Sequence, residues 1–324
     1  MMASTANQLA ASPRSTFLLI LGSLLAAGIF LLSPLASGET PPALGFWLAT
    51  LTLASLAVAG IRRLAALDGH RAYAPLTAAV FGLWILYFWQ LLVVAFDVPR
   101  VLLPAPWSIA QSLLNHLPTL GNDFVQTVVK AVLIGWTLGS ALGFGVAITI
   151  DRLPFLQRGL LPIASLTSTI PLVGVAPIAV MWFGFEWPSK AAVVILMTFF
   201  PMLVSTLAGL QASSRIEREL MHSYAAGYAR TLWSLRLPVA LPFMFAALKV
   251  NATLALIGAI VAEFFGSPTS GLGFRISTEA TKMNMTLVWA AVVVAAVTGS
   301  VAYALLVALE RRAAFWHPSV RGKK

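Results

Sequence analysis

The chain has 324 residues, 59% of them hydrophobic and 10% charged, with a net charge of +10 and no cysteine. This excludes a soluble globular domain, because several segments reach the ~20 apolar residues that cross a bilayer and no water-soluble core of this length needs so much apolar surface. It also excludes disulfides, thiolate metal sites and thiol nucleophiles.

Residues 1–15 are small and polar. Phe17 to Leu35 reads as a first span and Leu44 to Gly60 as a second, joined by a short turn over Ser37 to Pro42. The first stretch has no Ala-x-Ala-like cleavage site and is followed by another span, so it reads as an anchor and not as a cleaved signal. Arg62, Arg63 and Arg71 mark the next loop, and Leu76 to Phe96 forms a third span with Trp84, Tyr87 and Trp89 expected at the membrane interface. Asp97 to Asn122 is too polar to cross. Ser108 with Gln111 reads as a capping box before an apolar stripe of Ile109, Leu113, Leu114 and Leu117, which predicts a short interfacial helix.

Val125 to Ile150 is the fourth span. Gly135, Gly139 and Gly143 recur there at intervals of four and predict close contact with another helix. Leu160 to Phe185 holds Pro162, Pro171, Gly174 and Pro177, so the fifth span is expected to be kinked or broken. Irregular backbone at membrane depth is tolerated against protein or a water-filled cavity. Pro171 to Pro177 is therefore either pore-lining backbone or a structural kink. Ala191 to Leu210 is the sixth span, Val239 to Phe265 the seventh and Leu287 to Leu309 the eighth.

With both termini cytosolic, fifteen of the 21 basic residues fall on the inner side. They are Arg14, Arg62, Arg63, Arg71, Arg152, Arg158, Arg215, Arg218, Arg230, Arg236 and the five of the tail (Arg311, Arg312, Arg321, Lys323, Lys324). This satisfies the positive-inside rule and accounts for the basic charge without nucleic acid. The fold class is an all-α polytopic membrane protein of about eight spans. Its expected domains are an N-terminal tail with two extra helices (1–75), a six-helix transmembrane domain (76–310) and a basic tail (311–324).

No catalytic constellation is present. His70, His116, His222 and His317 lack partners at metal-ligand spacing, so no metal site is expected, and no phosphate-cradling GxxxxGK[ST] or HExxH motif occurs. The run Gly266 to Gly273 is glycine-rich but lacks the lysine of a phosphate loop and reads as a turn near a gate. Polar groups inside spans are few. Glu263, near the outer end of the seventh span, is either part of a substrate path or gate, or a bracing contact. Asn251 lies nearer the inner end, and Lys249 is placed to snorkel to the interface.

The stretch between the sixth and seventh spans carries more than a connecting loop needs. Leu220 to Ala226 reads as a short helix, after which Gly227 is expected to turn the chain with a positive φ. A basic and aromatic run follows (Tyr228, Arg230, Trp233, Arg236), and Pro238 and Pro242 are expected to open the next span. Gly227, Leu237, Pro238 and Pro242 resemble the coupling motif of bacterial ABC-importer permeases: Glu-Ala-Ala, three residues, Gly, then Leu-Pro-x-x-x-Pro. The Glu-Ala-Ala positions here read Met221, His222 and Ser223, with Ala225 and Ala226 supplying a small surface. Leu103 to Ser108, Ile170 to Pro177, Trp182 to Gly184, Pro188 to Lys190, Ile260 to Gly266 and Ser270 to Gly273 extend the resemblance over roughly residues 80–310. It is most similar to the nitrate, sulfonate and taurine group and to relatives importing pyrimidine precursors or riboflavin.

The resemblance implies a permease subunit in the bacterial inner membrane with no cofactor of its own, ATP being bound by a separate pair of cytosolic ATPases. The coupling loop (211–238, with 215–237 presented to the ATPase) would act through Ser223, Tyr224, Ala225, Ala226, Gly227, Tyr228, Arg230 and Trp233. Pro171, Gly174, Pro177, Asn251 and Glu263 would line the substrate path or gate. One such loop per chain implies a second copy or a sister permease, and an outer solute-binding protein would deliver a pyrimidine-like compound, flavin, sulfonate or aromatic acid. The competing class is an ion-coupled secondary transporter, which needs membrane-embedded charges and usually inverted repeats.

Overall fold

The structure is a computed structural model that describes residues 12–33, 36, 44–67, 73–153, 155, 159, 171–266 and 269–317. The predicted Ser37–Pro42 turn, His70, Arg71, Arg158, Pro162, Ile170 and the last basic residues Arg321, Lys323 and Lys324 lie outside them. Among the described residues the regular structure is helical, without strands.

Seven helices are long and apolar enough to cross a membrane. They are α1 (Pro13–Leu31), α2 (Leu44–Ala65), α3 (Tyr73–Ala95), α5 (Leu117–Arg152), α7 (Trp187–Gln211), α9 (Tyr228–Phe265) and α11 (Met285–Ala313). Four shorter helices complete the described set: α4 (Pro106–Asn115), α6 (Leu172–Phe183), α8 (Arg215–Ser223) and α10 (Leu272–Thr281). The predicted fifth span is described only from Pro171 onward, where it is the twelve-residue α6.

The chain forms two compact units, up to Ser112 and from Leu113. In the first, α1, α2 and α3 share one core. Ile20, Ala27 and Phe30 meet Phe46, Leu53, Ala57 and Leu64, and Val80, Trp84 and Leu91 join them. The steps of four and seven residues along α2 and α3 put these side chains on one stripe. Trp84 belongs to that stripe and is buried, not interfacial as expected, because its spacing from Val80 and Leu91 turns it inward. The capping box at Ser108 is also overturned. Helix α4 starts two residues earlier at Pro106, whose fixed φ suits a first helical position, and the Trp107 N–H donates to Gln90 Oε1 at 3.0 Å.

In the second unit α5, α7 and α9 pack tightly side by side, and the glycine stripe makes this possible. A Cβ at Gly135 would lie 2.8 Å from the Ala191 carbonyl, at Gly139 2.8 Å from that of Ile195, and at Gly143 2.5 Å from that of Phe199. The backbones of α5 and α7 thus approach closer than any side chain permits. Gly209 does the same for α7 against α9, where a Cβ would lie 2.8 Å from Ala240 Cα.

Both long helices start earlier than the sequence suggests. The expected fourth span is part of a helix that begins at Leu117 and runs through a π-helical stretch at Val125–Val132. The seventh begins at Tyr228, so Pro238 and Pro242 do not open it. A π-helical turn at Leu232–Arg236 precedes Leu237 and Pro238, and it carries the helix past a residue whose missing N–H interrupts a regular ladder. Lys249 does not snorkel freely; its ammonium pairs with Glu310 of α11 at 2.8 Å.

Candidate functional site

Two clusters, at opposite ends of the α5–α9 pair, hold most of the residues singled out by sequence. The first is the segment between α7 and α9. Helix α8 starts in a complete capping box: Ser214 Oγ accepts from the Glu217 N–H at 3.2 Å, and Glu217 Oε2 accepts from the Ser214 N–H at 2.8 Å. The backbone N–H of Ser214, and then its hydroxyl, hold the Glu217 carboxyl below its ordinary value. An exposed ion pair between Arg215 and Glu219 at 2.7 Å adds one i,i+4 contact.

The helix ends at Ser223, and the turn that follows differs from the expected one. Gly227 has φ −68° and ψ 171°, an extended conformation at the start of α9. The positive φ, 52°, is taken by Ala225. The Ala226 N–H donates to the Met221 carbonyl at 3.0 Å and the Ala225 N–H to that of His222 at 2.8 Å. These two bonds form a Schellman ending, a motif that usually places glycine where this chain has Ala225. Two satisfied ends therefore hold α8 as a helix, although none of its residues is buried.

Ile216, Leu220 and Tyr224 follow at intervals of four and are 78%, 55% and 76% exposed, and Trp233 is 69% exposed. Arg230 and Gly227 are also exposed, and a Cβ at 227 would meet no atom within 4 Å. Tyr228, expected beside Arg230 and Trp233 as a contact for a partner, is exposed and also donates its hydroxyl to Asp151 Oδ2 at 2.9 Å, with the Arg152 guanidinium 5.9 Å from its ring centre. Arg236 grips the same carboxylate with two bonds of 2.7 and 2.6 Å and donates through Nε to the Leu210 carbonyl at 3.0 Å. Sequence reasoning placed Arg236 in the basic and aromatic run and among the inner-side charges, and gave Asp151 no role.

At the opposite end, Glu263 is buried. Its Oε1 accepts from Thr127 Oγ1 and its Oε2 from the Gly273 N–H, both at 2.7 Å. The Leu272 N–H donates to Thr127 Oγ1 at 2.7 Å, and the Gly271 N–H to Asp123 Oδ1 at 2.9 Å. Asp123 also pairs with Arg275 Nε at 2.8 Å. Three successive N–H groups at the start of α10 thus find acceptors on three side chains of α5 and α9, which satisfies donors that a helix start leaves open. Gly271, with φ 135°, must be glycine, since a Cβ there would lie 2.6 Å from the Glu263 carboxylate. Lys190 is buried beside this cluster and donates to the carbonyls of Phe185, Glu186 and Gly266, tying the start of α7 to the end of α9. An open cleft of about 490 Å³ follows, lined by Phe185, Glu263, Phe264, Phe274, Ser277 and Thr278 among others.

The remaining predicted path residues are not gathered there. Pro171 is the extended residue before α6, and Pro171 and Gly174 are exposed on a face shared with Val173, Ile178, Met181 and Trp182. Pro177 is half-buried within α6, whose other face packs Ala176 and Ala179 against Val193 and Ala262. Asn251 is fully buried, its Nδ2 donating to Ser140 Oγ at 3.1 Å and to the Thr198 carbonyl at 2.8 Å. It pins α5, α7 and α9 together and is not among the residues lining the cleft beside Glu263.

Comparison with known proteins fits this architecture. Residues 135–315, more than half of the chain, match the family model described as binding-protein-dependent transport system inner membrane component. The chain is 29% identical to the formylaminopyrimidine transport permease protein ThiX of Halalkalibacterium halodurans, over 74% of this chain and 95% of that protein. It is 29% identical to the riboflavin transport system permease protein RibX of Chloroflexus aurantiacus, over 72% and 88%. It is also 29% identical to the taurine transport system permease protein TauC of Escherichia coli, over 65% and 73%. The family model spans the glycine seam, the exposed α8 segment, and Glu263 with the start of α10, and the chain accordingly belongs to the binding-protein-dependent transport system inner membrane components, as a multi-pass inner-membrane permease subunit of an ABC importer.

Proposed function

We propose that this subunit forms the pathway for a small organic molecule and is driven by alternating access, with α8 and its flanking residues docked on a separate cytosolic ATPase. The observation that carries the reading is the exposed Ile216, Leu220, Tyr224 and Trp233 surface on a helix that buries nothing against its own bundle yet is capped at both ends. Large apolar and aromatic side chains flanked by Arg218 and Arg230 are the composition of binding hot spots. Ser223, Ala225, Ala226 and Gly227 form the small-residue step at the end of that surface. Tyr228 also acts through Asp151.

In this reading the α8 end and both termini face the cytosol, which the excess of basic residues on that side supports. The Glu263 end faces outward, where a solute-binding protein would deliver the substrate. The exposed face of α6, with Pro171 and Gly174, would lie against a second permease copy or a sister permease, because one docking segment per chain needs a partner to engage an ATPase pair. ATP is bound by that ATPase and not by this chain. The transported compound would be of the kind named for the relatives: a formylaminopyrimidine, a flavin, or a sulfonate such as taurine.

The test is recovery of partners with the N-terminally tagged chain in mild detergent. Gly227 is extended, has open space around it and occupies the N-cap position of α9, where Asp is a favoured residue. Gly227→Asp should therefore insert and fold as the parent does, while ATP hydrolysis is uncoupled from uptake in cells. Co-purification of a soluble ATPase with the parent supports the reading. A parent chain that emerges alone and stable, or a Gly227→Asp chain that transports normally, refutes it, and ion-driven uptake would then be the better account.

A further inference from the structure

Helices α5 and α9 run antiparallel and are tied by polar bonds along their whole shared length. At one end are the two Asp151–Arg236 bonds. Between the ends, Asn251 Nδ2 meets Ser140 Oγ at 3.1 Å and Trp136 Nε1 donates to the Leu248 carbonyl at 3.3 Å. At the other end Thr127 donates to Glu263. The terminal ties are separated by roughly 36 Å along α5 and 40 Å along α9, more than the ~30 Å hydrocarbon core.

The terminal tie at Arg236 has a second property. The same guanidinium holds Asp151, on the last turn of α5, and the Leu210 carbonyl, on the last turn of α7. Arg236 belongs to α9, so one side chain joins all three packed helices. Its pair with Asp151 is largely shielded, at 13% and 7% side-chain exposure, and the Tyr228 hydroxyl closes the remaining side of the carboxylate. Below it, Leu210, Leu232, Leu237 and Ala240 form an apolar cluster with Phe144 and Ile148. Helix α8, by contrast, buries no residue of its own. Force applied to α8 reaches the bundle through its two linkers, and the linker leading to α9 runs through Tyr228 to Arg236.

We infer that Arg236, fixed by Asp151 and steadied by Tyr228, is the joint that passes movement of the α8 segment to α5, α7 and α9 as one body, and through Asp123, Thr127 and Glu263 to α10 at the far end. This rests on the docking reading above. Asp151, Arg236 and Tyr228 are positioning residues and need touch neither substrate nor ATPase. Losing the joint would leave docking intact and silence the far end.

The chain has no cysteine, so Thr278→Cys on α10 gives a single reporter beside the cleft of Phe185, Phe264 and Phe274. Its rate of maleimide labelling is measured in membrane vesicles holding the assembled complex, with and without ATP plus vanadate, and ATPase recovery is measured in parallel. With the joint intact, nucleotide should change the rate by about fivefold or more, the low end of ordinary coupling between sites. Asp151→Ala should keep the ATPase bound and abolish the change. Asp151→Glu, which keeps a carboxylate for Arg236 and Tyr228 and leaves Arg236 on the Leu210 carbonyl, should retain much of it. A nucleotide response that survives in Asp151→Ala, or that is absent in the joint-intact complex with ATPase bound, overturns the inference. If Asp151→Ala fails to insert, Tyr228→Phe decides, since it removes one hydroxyl: an undiminished response counts against the joint and a reduced one for it. A joint-intact chain that recovers no ATPase refutes the docking reading itself, and the inference falls with it.

Discussion

The glycine seam between α5 and α7 supports a prediction whose size follows from the geometry. A Cβ added at Gly139 would sit 2.1 Å from Thr198 Oγ1, 2.8 Å from the Ile195 carbonyl and 2.9 Å from Ile195 Cα, against 3.4 Å or more for ordinary contact. The Ile195 backbone atoms cannot swing aside as a side chain can, so α7 must retreat from α5 by a large fraction of an ångström. That retreat also strains the Asn251 bonds to Ser140 and to the Thr198 carbonyl. Gly145 is the internal control: it lies on the same helix, and a Cβ there meets nothing within 4 Å. Gly→Ala gains the same helix propensity at both sites, so the difference between the two variants isolates the overpacking cost of about 1–3 kcal/mol. At roughly 2–4 °C per kcal/mol for a unit of this size, Gly139→Ala should melt about 2–12 °C below Gly145→Ala. Thermal unfolding of the detergent-purified chain, followed by size exclusion, measures this. Equal melting temperatures, or a more stable Gly139→Ala, would refute the close-packing argument.

Two further outcomes concern α8. Ala225→Gly should relieve the left-handed backbone by about 1 kcal/mol, so the Ala225 and Ala226 amides, which close the Schellman turn, should exchange with solvent about fivefold more slowly; unchanged or faster exchange would count against that strain. The capping box makes α8 sensitive to acid: because the Glu217 carboxyl lies below its ordinary 4.5 in the folded chain, its contribution is complete above that value and is lost as pH falls through the depressed one. Amide protection in the first turn of α8 should weaken over that acidic range, and Glu217→Gln, which removes the titrating group, should remove the pH dependence; a profile that Glu217→Gln leaves untouched would refute the assignment.

The membrane spans and the glycine seam were legible because each is a periodic, one-dimensional signal. Apolar runs of twenty residues and glycines at intervals of four need no knowledge of a partner helix to be recognised. Pro238 misled for the opposite reason. Proline marks a helix start statistically, whereas here a π-helical turn absorbs it, and only the three-dimensional chain decides between the two. Gly227 misled in a similar way: glycine permits a positive φ without requiring it, and the turn closed two residues earlier on Ala225. Asp151 and Arg236 are 85 residues apart, and Thr127 and Glu263 are 136 apart. No local pattern links such pairs. The one available hint was the scarcity of carboxylates, eleven in 324 residues, which makes each one in or beside a span worth pairing.

The Glu263 cluster carries a consequence for how the far end can move. Each of the three N–H groups that start α10 has a side-chain acceptor on α5 or α9, and Thr127 serves twice, as donor to Glu263 and acceptor from Leu272. In a membrane protein, water is seldom at hand to replace a broken bond, and an unpaired buried polar group costs several kcal/mol. Partial displacement of α10 would strand several groups at once. Gly271, pressed against the Glu263 carboxylate, leaves no slack for a sliding adjustment. Two outcomes are then favourable: α10 stays with α5 and α9 and is carried along as they move, or it detaches entirely into water. A graded opening at this point is disfavoured. Such an end behaves as a two-state element, and a driving force applied at Arg236, tied to the same two helices, is applied to a body that moves as one or not at all.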